Sequence, residues 1–242
     1  MTRQRLHPRV HDQGHPELPD LARSEVVMGV EFDTTGASPT ESAVHEWLTQ
    51  RAGSRPRLLG PDCGALDVTP ERLRVSWGRQ PHDGFASYDD IWPVFADDLE
   101  NFEAFVRGQG LRHLPVEGCE LTYVNPLAPG QDWRRRGVLE RLLLQWAHVD
   151  PTETLLPTPE EVQSGTRYKI RGQDGAAVGR LYVTVDSVWL ETPEPMILVT
   201  LTAHGRPVGE GTDGIRAFFD TGFEWIVRGF AALTSTEAQL PY

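Results

Sequence analysis

The sequence predicts an α+β fold of two layers, a largely antiparallel sheet with helices on one face. Three observations carry that expectation. Several short segments alternate apolar and polar residues with period two, and short links join them, as in antiparallel strands. Two longer segments carry apolar residues at three-and-four spacing, Trp92 to Val106 and Ile215 to Leu233, the stripe of a helix lying on a core. Finally, FEAFVRG at Phe102–Gly108 is echoed by FEWIVRG at Phe223–Gly229, identical at five of seven positions. Helices segregated to one face of an antiparallel sheet are one of the few stable ways to bury such faces.

Taken in order, residues 1–22 read as a tail. His7, His11 and His15 are spaced to align on a helix, but Pro8, Gly14 and Pro16 oppose that helix, so a metal site is not expected there. Glu25 to Phe32 is the first strand, with Val26, Met28, Val30 and Phe32 on one side. Pro39 to Arg51 is a short helix with Val44, Trp47 and Leu48 on one side and Thr40 near its start. Extended runs follow at Arg57–Leu59, Ala65–Val68 and Arg72–Trp77, then a long helix from Ile91 to Gln109 that Gly108 or Gly110 can stop. The order then repeats. Cys119–Val124 is a strand, Gly137–His148 a helix, and Thr166–Arg171, Val178–Leu190 and Met196–His204 are strands. The stripe from Thr212 to Leu233 closes the chain, with Thr212 or Asp213 available as its cap. The repeat of order and the echo predict a tandem βαβββα pseudo-repeat, residues 23–114 and 115–236, forming one compact unit with a short tail at 237–242.

Composition narrows the class. The 242 residues are 39% apolar and 24% charged, the balance of a globular domain, and the formal charge is −12 with a pI of about 5.1. Such acidity opposes nonspecific nucleic-acid binding, which needs Lys and Arg to displace counterions. Cys63 and Cys119 are not closely spaced and read as reduced thiols. No run approaches the roughly 18 apolar residues of a membrane span, and the start lacks a signal-type apolar stretch. A soluble cytoplasmic protein is expected.

Candidate chemistry is sparse. Gly209-Glu210-Gly211-Thr212-Asp213-Gly214 matches GxGxxG before a helix, but the preceding strand reads as antiparallel, no βαβ crossover follows, and Glu210 and Asp213 would repel phosphate. A glycine-rich turn is the expectation. Arg134, Arg135 and Arg136 form the densest basic run, just before a predicted helix; a solvated face is the simplest reading and an anionic ligand the sharper one. Asp97, Asp98 and Glu100 read as surface carboxylates. HExxH, CxxC, GxSxG and Walker-type patterns do not occur, and no cofactor or metal is expected.

The segments EVVMGVEF (Glu25–Phe32), LRVSWGR (Leu73–Arg79), CELTYVNPL (Cys119–Leu127), VGRLYV (Val178–Val183), LTAHGRP (Leu201–Pro207) and FEWIVRGFAALTS (Phe223–Ser235) occur in that order. In them the ordered chain resembles an uncharacterised family described as sporadically distributed in bacteria and archaea, for which no activity is established. The resemblance implies two departures. Relatives commonly carry His where this chain has Phe223, and His where it has Pro126; if either served catalysis or a metal there, this chain lacks it. The sporadic distribution suits an accessory component of a mobile defence or toxin–antitoxin system.

The functional expectation is a non-enzymatic module that binds another protein, with acidity suited to a basic partner. One alternative is a small-molecule binder or enzyme with a pocket between the halves, Glu224 and Arg228 lying opposite Glu103 and Arg107. Another is nucleic-acid binding through Arg134–Arg136, aided by Arg72, Arg74 and Arg79.

Overall fold

Alternation in the first ordered segment becomes strand β1, Glu25–Phe32, with Val26, Met28, Val30 and Phe32 buried. The computed structural model describes residues 25–36, 38–54, 65–78, 87–111, 114–127, 163–189 and 195–233. Helix α1 spans Glu41–Ser54, and Thr40 caps it by accepting a bond from the Ala43 amide at 3.2 Å. Strands β2, Ala65–Thr69, and β3, Arg72–Gly78, form a hairpin. Helix α2, Tyr88–Gly108, begins earlier than its apolar stripe suggests, because Ser87 and Asp90 form a capping box that fixes the start upstream. Gly110, at φ +76°, lies just past its end. Strands β4, Val116–Leu127, β5, Gln163–Arg171, β6, Ala177–Trp189, and β7, Pro195–Gly205, lead to helix α3, Gly211–Leu233. The segments expected at Arg57–Leu59 and Gly137–His148, and the histidine-bearing tail, lie outside the described residues.

The seven strands form one antiparallel sheet in the order β2-β3-β1-β4-β7-β6-β5. All three described helices are accounted for on one side. Phe102 of α2 lies 5.6 Å from Phe32 of β1, and Trp47 of α1 packs edge-on against Phe102 at 5.0 Å. Phe95 of α2 meets Phe219 of α3 at 5.4 Å, and α3 rests on β4 and β7. The two-layer α+β architecture with helices on one face is therefore the one the sequence predicts.

The opposite side of the sheet carries the alternate residues of every strand, and β6–β7 shows why one face suits a helix. Gly179 and Gly205 pair across these strands beneath the Phe218 ring. A Cβ at Gly205 would sit 2.4 Å from that ring, and one at Gly179 would sit 2.9 Å from it. Only bare backbone leaves room for the aromatic side chain here.

The pseudo-repeat is not shown by this fold. Outward from the central β1–β4 pair the strands read β3, β2 on one side and β7, β6, β5 on the other, so each half pairs its first strand with its last. The residue echo does not take part in that relation. It aligns the helices at an offset of 121 residues, from Phe102 to Phe223. The buried faces align at 120, carrying Val94, Phe95, Asp98, Leu99, Phe102 and Val106 onto Gly214, Ile215, Phe218, Phe219, Gly222 and Ile226. One residue is about 100° around a helix, so echoed residues face different ways. Val106 is 1% exposed, whereas its echo Val227 is 50% exposed.

Of Asp97, Asp98 and Glu100, one is not the surface carboxylate the sequence suggests, while Glu100 is exposed as expected. Asp98 is wholly buried and accepts a 2.9 Å bond from Nε of Arg51, itself buried, which also pairs with Asp97. Burial alone would ease the proton off Arg51, but the bonds and charges of Asp97 and Asp98 outweigh it, and the guanidinium pKa is raised. A buried charge that loses its partner costs far more than the pair contributes. Asp98→Ala removes one of the two carboxylates that hold Arg51 in the interior and is therefore expected to destabilise the fold by about 1–3 kcal/mol, read from urea unfolding. The double variant Arg51→Met/Asp98→Leu is expected to lose less, because both buried charges are removed together and apolar side chains of similar size take their places.

Candidate functional site

Helices α2 and α3 run antiparallel. Tyr88, at the start of α2, stacks on Phe223 at 4.6 Å and donates a 2.7 Å bond to Asp220, while Glu103 near the end of α2 shares a cleft with Gly211 and Ile215 at the start of α3. This direction separates the residues proposed to converge. Glu103 is half-buried in the cleft, and Arg107 is exposed one turn on. Glu224 and Arg228 lie beyond the Tyr88–Phe223 contact, at the other end of the helix pair. They form an exposed ion pair with each other at 3.7 Å. Fifteen residues of helix separate Tyr88 from Glu103, about 22 Å, so Glu224 and Arg228 do not face Glu103 and Arg107. Arg134, Arg135 and Arg136 lie outside the described residues.

The cleft itself sits where α2, the start of β4 and the β7–α3 turn meet. It has a volume of about 680 Å³, opens to solvent, and is lined by Glu103, Glu117, Glu210 and Arg206 together with apolar Val116 and Ile215. Three carboxylates against one guanidinium suit a cationic ligand better than a phosphate. The GxGxxG segment forms its rim and is a structural turn. Gly209 and Gly211 have φ of +114° and +61°, and a Cβ at Gly214 would lie 2.4 Å from the Gly209 backbone. The Val208 amide bonds the Gly214 carbonyl at 2.8 Å, folding the turn onto the helix. Helix α3 starts at Gly211, so Thr212 and Asp213 lie within its first turn rather than capping it.

The face of the sheet that no described helix covers, called uncovered in that sense, is the larger feature. Its central row reads Lys169, Arg180, His204, Glu120, Gly29, Arg74 and Asp67 from β5 to β2, each paired with the next. A second row reads Arg167, Tyr182, Thr202, Thr122, Val27 and Ser76. Charge on this face is sorted. Towards β2, Arg74 pairs with Glu120 at 2.7 Å and Arg72 with Asp67 at 2.9 Å; at the centre Thr122 and Thr202 share a 2.8 Å bond. His204 and Glu31 lie 3.6 Å apart. Towards β5, Arg167, Lys169 and Arg180 are all exposed, and no described residue forms an ion pair with any of them. Sequence reading missed this basic edge because its members are two and eleven residues apart. The usable signal was the alternation of Arg167, Lys169 and Arg171 along one strand.

Phe223 and Pro126, the two positions singled out by the resemblance, fall on opposite sides of the sheet. Tyr123 of β4 reaches Phe223 from the helix side at 6.0 Å, and Pro126, three residues on, belongs to the other face. The two positions do not make one site. Among the described residues, no group of three His, Cys, Asp or Glu side chains is placed to hold a metal, and no helix is long and apolar enough to cross a membrane. Comparison of the chain with protein-family models, with curated proteins and with solved structures finds no match.

Buried acids of the helix-side core bear on pH rather than on chemistry. Burial, helped by the Glu31 carboxylate, pushes the Cys119 thiol up to about 12, and burial also raises Tyr123. For Tyr88, burial and the bond to Asp220 act in the same direction. Unfolded, the Cys119 thiol ionises near its ordinary value of 9.0; folded, it keeps its proton to about 12. Its contribution to stability is complete below the lower value and is lost as pH rises through the window. Stability should therefore fall by about 1 kcal/mol between about pH 9 and pH 10, in urea titrations, with a shallower fall in Cys119→Ala.

Proposed function

We propose that the chain is a non-enzymatic protein-interaction module, and that the uncovered face of its sheet is the surface it uses. The observation that carries this reading is the sorted charge of that face, with cations left exposed at one edge of an acidic protein. Exposed Arg167 and Arg180 beside half-buried Tyr182 supply the guanidinium and aromatic side chains that protein interfaces favour. Partner charge then differs from the sequence expectation. Net acidity suits a basic partner, but this face presents cations and suits an acidic one. The sporadic distribution attributed to the family this chain resembles fits an accessory component of a mobile defence or toxin–antitoxin system.

A second reading, a small-molecule binder or enzyme, is favoured by the cleft at Glu103, which lies where the two halves of the chain meet. A third, nucleic-acid binding, loses support at Arg72 and Arg74, because both guanidiniums are engaged by carboxylates.

Native mass spectrometry of the chain purified gently from its producing cells separates the readings. A protein retained in fixed stoichiometry, and released when Tyr182→Ala and Thr202→Arg alter the uncovered face, is the expected result. A retained small molecule that is lost on Glu103→Gln would replace this reading with the cleft.

A further inference from the structure

Strand β5 ends the sheet, pairs only with β6 among the described strands, and is nine residues long. Along it only Ile170 is buried. On the uncovered face, Lys169 stands directly opposite Arg180, and Arg167 is the next residue of that row of side chains. Like charges directly opposite on paired strands repel. The chain has 35 acidic residues against 23 basic ones, yet none of the described carboxylates forms an ion pair with these three cations. On the helix side of the same strand, the Tyr168 ring is 42% exposed.

We infer that β5 is a docking edge for an extended segment of a partner protein that alternates acidic and apolar residues, added to the sheet as an eighth strand. This deepens the interaction reading above and rests on it. An added strand satisfies the outer backbone groups of β5 and places alternate side chains on the two faces. Its acidic row then lies beside Arg167 and Lys169, and its apolar row covers Tyr168. A second copy of this chain does not fit, because β5 against β5 would set Arg167 and Lys169 of one copy against those of the other. A nucleic acid would meet the cations but leave the outer amides and carbonyls of β5 unpaired.

The test uses the full chain, a ten-residue peptide alternating Asp and Val, and three controls: a Lys–Val peptide, an oligo-Glu peptide, and single-stranded DNA. Binding is followed by fluorescence anisotropy, and hydrogen exchange is followed at residues 163–171. The Asp–Val peptide is expected to bind, to slow exchange along β5, and to weaken about tenfold in Arg167→Glu/Lys169→Glu. The Lys–Val peptide is expected not to bind. Equal binding of oligo-Glu or DNA with no slowing at β5 would overturn the proposal, reducing the edge to a general anion patch. So would absence of Asp–Val binding together with self-association of the charge-reversed variant, since the cations would then only guard a free edge. A natural partner that stays bound to Arg167→Glu/Lys169→Glu would sink the β5 site and leave the interaction reading standing.

Discussion

The contact between Phe95 and Phe219 holds the helical layer together. Both rings are wholly buried, 5.4 Å apart and nearly perpendicular, with Trp92 and Phe218 packed alongside. Helix α2 comes from the first half of the chain and α3 from the second, so this seam is where the halves meet above the sheet. Each such side chain contributes about 1.5–3 kcal/mol by leaving water, and edge-to-face rings add to that. The seam also fixes direction. Because α3 runs back along α2, the end of α2 lies over the β7–α3 turn, which creates the cleft at Glu103 and removes Glu224 and Arg228 from it.

Charge is handled in three ways, in order of burial. Arg51 and Asp98 are taken inside as a bonded pair, with Asp97 as a second, more exposed carboxylate on the same guanidinium. Arg72 and Arg74 lie half-exposed, each within bonding distance of a carboxylate. Arg167, Lys169 and Arg180 are left to solvent. Pairing across the sheet therefore runs out on β5 and its neighbour β6, at the edge where main-chain pairing also runs out.

Much of the architecture was legible in the sequence because burial imposes a period. Val26, Met28, Val30 and Phe32 announced β1, and Trp92, Phe95, Leu99, Phe102 and Val106 announced α2, since one buried face requires those spacings. What escaped was whatever depends on register. Asp98 is one carboxylate in an acidic run, and nothing local says that it turns inward while Glu100 stays out. The basic edge exists only because Lys169 meets Arg180 across a hairpin. The echo does not follow the buried faces, for a related reason. Identical letters on two helices were set one residue out of phase with the buried stripe, and a rotation of about 100° separates similar sequence from similar surroundings.

The socket formed by Gly179, Gly205 and Phe218 has a consequence for how this chain could change over time. Two strands and one helix contribute to it, and a Cβ on either glycine would collide with the ring as well as with neighbouring main chain. A side chain at either glycine would meet main chain even if a smaller residue replaced Phe218, so both strands stay bare here and the ring fills the space they leave. Such a unit is a signature of this architecture that no short run of letters contains. It would outlast the helix echo in diverged copies of the gene, and a search for kin could begin from it.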